Sequence, residues 1–173
     1  LGDRIYLAYG MDSDGVIQIL DRDKFLNGDP NAEDPFAPTP ENLLYPEIAR
    51  IDLPSYWGGH SVHPIIGMEI ADYADDETYS VRDILVVVSE VTANECGYAR
   101  HATFFVDITE EDKPFGISSF QVPESTGDFC NRGGRFGPHA SNDSMASVFY
   151  KNTLLLSYFN AGVRAVDIRD PFN

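Results

Sequence analysis

The side chains with the widest chemical reach in this sequence are four imidazoles, His60, His63, His101 and His139, two arginines, Arg132 and Arg135, and two cysteines, Cys96 and Cys130. Histidine is the commonest ligand for zinc, copper and iron, so several imidazoles meeting at one point suit a transition metal (Cu, Fe or Zn). His60 and His63 stand in Gly58-Gly-His-Ser-Val-His-Pro64 and His139 in Arg135-Phe-Gly-Pro-His-Ala140, so His60 and His139 both follow a Gly or Pro. Three residues apart in a strand, His60 and His63 point to opposite faces, which makes His60 the expected co-ligand of His139, with His101 or His63 nearby. The blander alternative is that each imidazole hydrogen-bonds neighbouring backbone, orders a strand and binds nothing. Arg132 and Arg135 flank Gly133 and Gly134 and place positive charge beside His139. They either hold an anionic ligand group or pair with Asp128 and Glu124 as a structural clamp.

Other chemistries have no foothold. There is no nucleophile elbow, phosphate-binding glycine loop, zincin helix or nicotinamide fingerprint, no Ser or Cys with a recognisable His partner, and no carboxylate pair that stands out. Asp12-Ser-Asp14-Gly15 opens like a calcium loop but lacks the later acidic ligands, and reads as a tight Asp-Gly turn. Asp72, Asp75, Asp76 and Glu77 read as a solvated loop, and Tyr56 and Trp57 as packing at a sheet edge. The 28 acidic residues against 12 basic give a formal charge of −16, which repels phosphate backbones and anionic headgroups and excludes nucleic acid as the expected partner. The longest mostly apolar run, 84–88, is far too short to span a bilayer.

The elements that must position these residues are strands. Runs rich in β-branched and aromatic residues fall at 4–9, 15–20, 49–53, 62–70, 84–90, 102–108, 117–122, 146–150, 154–158 and 163–168, separated by Gly, Pro, Asn and Asp clusters. Helical periodicity is confined to a short turn around 40–48. Ten short strands mean a sandwich, a barrel or a propeller, and an internal repeat decides for the propeller. Arg4-Ile-Tyr-Leu-Ala-Tyr followed by Gly15-Val-Ile-Gln-Ile-Leu-Asp-Arg-Asp23 matches Thr153-Leu-Leu-Leu-Ser-Tyr followed by Gly162-Val-Arg-Ala-Val-Asp-Ile-Arg-Asp170, with a middle copy at 84–89 and 102–109. The expected fold is all-β, about three four-stranded propeller blades of a larger ring: a partial blade at 1–57, a blade at 58–124 and a partial blade at 137–173.

Phe105-Val-Asp-Ile-Thr109 and Val166-Asp-Ile-Arg-Asp-Pro171 resemble the third-strand signature of the LVIVD-repeat family of β-propellers, most strongly in the last copy. The first copy departs, with Leu20 where the signature has Asp. The resemblance implies a propeller, usually extracytoplasmic, with no single shared activity.

In such a blade the loop into the first strand and the loop between the second and third open on one face, so all four histidines are expected at one end. Cys96 and Cys130 fall in loops of that face. A disulfide between them would stabilise by on the order of 3–4 kcal/mol and would favour a periplasmic or secreted location. Three blades cannot close a ring of four to eight, so a protein partner or the remainder of the same chain is expected at the open blade edges. Leu1 at the start and Asp170-Pro-Phe-Asn173 at the end agree with a portion of a longer chain. Two functions follow as expectations: a scaffold binding a partner protein or small ligand through its His-containing face, or a metal-dependent oxidoreductase with axial His ligands.

Overall fold

A computed structural model of the chain describes residues 2–10, 14–70, 80–90, 92–94, 97, 101–126, 133–142 and 146–172. Among the described residues ten strands form three antiparallel sheets. The first is β1 (Arg4–Tyr9), β2 (Val16–Asp21) and β3 (Glu47–Asp52), in that order. The second is four-stranded, β4 (Gly58–Glu69), β5 (Val81–Glu90), β6 (Thr103–Asp107) and β7 (Phe115–Phe120), again ordered as in the chain. The third is β8 (Gly137–Ser141), β9 (Thr153–Phe159) and β10 (Gly162–Asp167). None of the three closes on itself.

Nine of the expected strands are present within a few residues; the run 146–150 is not a strand. Phe149 N and Tyr150 N both donate to Ala146 O, closing consecutive turns, and Lys151 follows with φ +66°. Its aromatic and β-branched composition suits a strand, but a tertiary contact wins: the turn delivers the Tyr150 hydroxyl to Ile66 N, 2.8 Å away on β4. Two short helices occupy the β2–β3 connection, α1 (Arg22–Asn27) and α2 (Pro40–Leu44). Asp21 and Thr39 cap them by accepting from Lys24 N and Asn42 N. The second lies within the expected helical turn; the first was not expected from the sequence.

The sheets pack face against face around β5, whose Ile84–Val88 run is apolar on both sides and buried on both. Ile84, Val86 and Val88 point toward the third sheet and cluster with Leu154, Leu156 and Tyr158. Leu85 and Val87 point the other way, against Ile17, Ile19 and Ala49 of the first sheet. Burying each such aliphatic side chain is worth roughly 1.5–3 kcal/mol, so these two seams are the main cohesive force between the sheets. The approach at the first seam is close enough to require glycine: a Cβ on Gly15 would lie 2.2 Å from Trp57 O. Among the described residues no helix is long and apolar enough to cross a membrane.

Candidate metal centre

β5 ends in a carboxylate. Alternation along the strand sends Ser89 toward the first sheet and Glu90 toward the third, and Glu90 is only 3% exposed. A buried carboxylate must be satisfied, and three side chains converge on it. Arg135 Nη1 donates to Oε1 at 2.9 Å. His60 Nε2 stands 3.2 Å from Oε2, and His139 Nδ1 makes a direct hydrogen bond to that same oxygen.

Both imidazoles owe their aim to backbone irregularity. On β4 the pairing passes from Gly59↔Ser89 to Ser61↔Val88, leaving His60 as the extra residue of a bulge. On β8 it passes from Pro138↔Tyr158 to Ala140↔Ser157, leaving His139 in the same position. Bulges re-aim side chains in this way. The two rings meet with centroids 4.5 Å apart. The bulge also corrects the expectation from simple alternation: His60 and His63 lie on one face of β4, not opposite faces, because the extra residue restores their parity. His60 lies against His139 and His63 against Tyr150, both on the side of the third sheet.

The four histidines thus separate. His60 and His139 meet at Glu90, and the donor atoms of the three lie within 4.8 Å of one another. His63 is 4% exposed, further along β4, edge-on to the Tyr150 ring 6.3 Å away. His101 is 2% exposed on the opposite face of the second sheet, its Nδ1 2.6 Å from Ser89 Oγ and its ring stacked on Trp57 at 5.7 Å. Burial holds the His101 pKa below the ordinary imidazole value, and the nearby Tyr56 backbone and Glu90 charge only partly oppose this. His101 and His63 are both buried and lie outside the His60–Glu90–His139 cluster. Trp57 packs at the first seam as expected, stacking on His101 and tilting over Phe104.

Of the two arginines, Arg135 reaches the centre through Glu90, while Glu124 pairs with Arg164 at 2.7 Å. Arg132, Asp128, Cys96 and Cys130 lie outside the described residues, as do Asp12 and the 71–79 acidic loop. Glu90 itself escapes a sequence reading, because as the last residue of the strand run 84–90 it belongs to no local motif that names its partners. A signal was available in the repeat: the matching positions are Gly10 and Phe159, so an acid there is not a turn requirement of the unit.

Two imidazoles and one carboxylate form the donor set of many zinc and non-haem iron sites. Tetrahedral ligands at zinc-type bond lengths of about 2.0–2.1 Å stand about 3.3 Å apart. The His60–Glu90 separation already matches, and the His139–Glu90 hydrogen bond would open to admit an ion. Arg135 on the second carboxylate oxygen is the outer contact that fixes a carboxylate ligand's orientation. Searches of protein-family models, curated proteins and solved structures return no match to this chain.

Proposed function

We propose that the chain contributes adjoining blades of an extracytoplasmic β-propeller of the LVIVD-repeat kind, and that its His-containing face binds a divalent transition-metal ion at His60, Glu90 and His139. The propeller reading draws support from the repeat together with three antiparallel sheets stacked face to face, each chain-ordered. The metal reading is carried by one observation: donor atoms from β4, β5 and β8 converge within 4.8 Å although they lie on two different sheets. Of the two functions expected from the sequence, this favours the metal-dependent one, with Zn, Fe or Cu as the ion. Three protein ligands leave a coordination position open to a substrate, as in catalytic sites of this donor set.

Isothermal titration of zinc into the purified full chain, with elemental analysis of the protein as isolated, tests the proposal. One equivalent bound, and lost in His139→Ala, is the expected result. A wild-type chain that takes up no zinc, copper or iron, or a His139→Ala chain that binds as tightly, overturns it.

A further inference from the structure

Resting on that metal reading, we infer that the open side of the centre takes a small carboxylate anion, held jointly by the metal and by Arg135. Four observations carry this. First, exposure is graded across the cluster. Glu90 is buried at 3% and the His60 side chain is 26% exposed, whereas the Arg135 and His139 side chains are 38% and 43% exposed. Solvent therefore reaches the centre along the side shared by Arg135 and His139.

Second, among the described residues Arg135 has donors to spare. A guanidinium offers five N–H groups, and the only side-chain hydrogen bond it makes among the described residues is from Nη1 to Glu90 Oε1. Its position is nonetheless fixed. The guanidinium carbon lies 5.2 Å from the centroid of the Phe159 ring, which also carries His139 at 5.0 Å. Asn160 Nδ2 donates at 2.7 Å to both Gly133 O and Arg135 O, tying down the backbone that presents it. A planar, preorganised fork of this kind suits a planar carboxylate.

Third, charge. With neutral imidazoles, Glu90 and Arg135 cancel, so a divalent ion leaves the centre at a net charge of about +2 inside a protein whose formal charge is −16. Field lines of an acidic protein do not favour anions generally, which makes a local cation pair the selective element.

Fourth, the span between metal and guanidinium is already bridged by one carboxylate. Glu90 gives Oε2 to the histidine side and Oε1 to Arg135. A second carboxylate from solution has the same bite and can bridge the same two centres from the exposed side, one oxygen on the metal and one on the free donors of Arg135. No covalent step is involved; the anion replaces solvent on the metal.

Cobalt(II) substitution gives a direct readout, because anion ligation changes the visible absorption of the ion. The full chain saturated with Co2+ is titrated with acetate, and with acetamide as the neutral isostere. Acetate is expected to shift the spectrum saturably and acetamide to leave it unchanged. In Co2+-saturated Arg135→Gln the acetate dissociation constant should rise by at least about tenfold, the scale of a lost charged hydrogen bond. Arg135→Lys, which keeps a cation on Glu90 but loses the fork, should fall between. Equal acetate affinity in wild type and Arg135→Gln, or an equal response to acetamide, overturns the anion subsite and leaves the metal centre standing. A wild-type chain that gives no Co2+ spectrum removes the metal centre and the subsite together.

Discussion

Replacing Glu90 with Gln keeps the shape of the side chain and removes the one charge on which the centre converges. The carboxylate is 3% exposed, hydrogen-bonds Arg135 and His139 through its two oxygens and has His60 Nε2 3.2 Å from Oε2. Gln offers one acceptor and forces an NH2 group against at least one of these donors. Breaking a fully buried ion pair costs about 3–5 kcal/mol. Here Arg135 and His139 are 38% and 43% exposed, so water recovers part of the loss and about 1–3 kcal/mol is the reasonable figure. For a chain of this size about 2–4 °C accompanies each kcal/mol, so the metal-free variant should melt about 2–12 °C below wild type. Zinc separates structure from ligation. At a free concentration a hundred times its dissociation constant, zinc adds about 2.7 kcal/mol to a protein that binds it only when folded. Wild type should therefore gain about 5–11 °C, and Glu90→Gln should gain nothing at the same concentration. Differential scanning calorimetry of both proteins, with and without zinc, reads all four values. A Gln variant that melts with wild type and keeps its zinc shift would refute both the role of Glu90 as hub and its role as ligand.

Two predictions concern the scaffold. Gly15→Ala should destabilise the chain by several kcal/mol, since its Cβ would meet Trp57 O at 2.2 Å and Gly59 N at 2.5 Å, backbone atoms that cannot turn aside; urea unfolding measures the loss, and an unchanged midpoint contradicts the close approach at the first seam. His101 should make stability fall in acid: its folded pKa lies below the ordinary value through burial, so below about pH 6.5 the unfolded chain binds a proton that the folded chain refuses. Stability on this account is full above that pH and is lost as pH drops toward the depressed folded value. The urea midpoint of wild type should drop between pH 7.5 and 5.5 by more than that of His101→Gln, and parallel pH profiles would count against it.

How far the sequence disclosed this molecule depended on whether a property was periodic. Strands β1, β2, β5, β9 and β10 were legible because apolar and β-branched residues recur at spacing two or as short saturated runs between turn residues. The pairing of His60 with His139 was legible because both follow the same Gly or Pro punctuation at the start of equivalent strands. What depended on geometry without periodicity was not. A bulge changes which face a side chain occupies without any composition signal beyond a glycine, so the parity of His60 and His63 came out reversed. Glu90 became a hub only because β8 and the Arg135 backbone lie across the seam, a long-range fact carried by no local pattern. The Ala146–Tyr150 stretch shows the converse, local propensity for a strand overruled by the reach of one tyrosine hydroxyl.

The seam between the second and third sheets has a further mechanical meaning. At one end, near His60, it is latched by Glu90 to Arg135 and His139. At the other, near Gly67, Tyr150 takes the Ile66 N–H and Lys151 Nζ donates to Gly67 O at 2.6 Å. With about 3.3 Å of rise per residue, the latches stand about 20 Å apart, with oily packing between them. A plate bolted at both ends can neither slide lengthwise nor swing open like a door. On the proposed metal reading, a ligand would reach Glu90 along the rim of the plates, where the Arg135 and His139 side chains are 38% and 43% exposed.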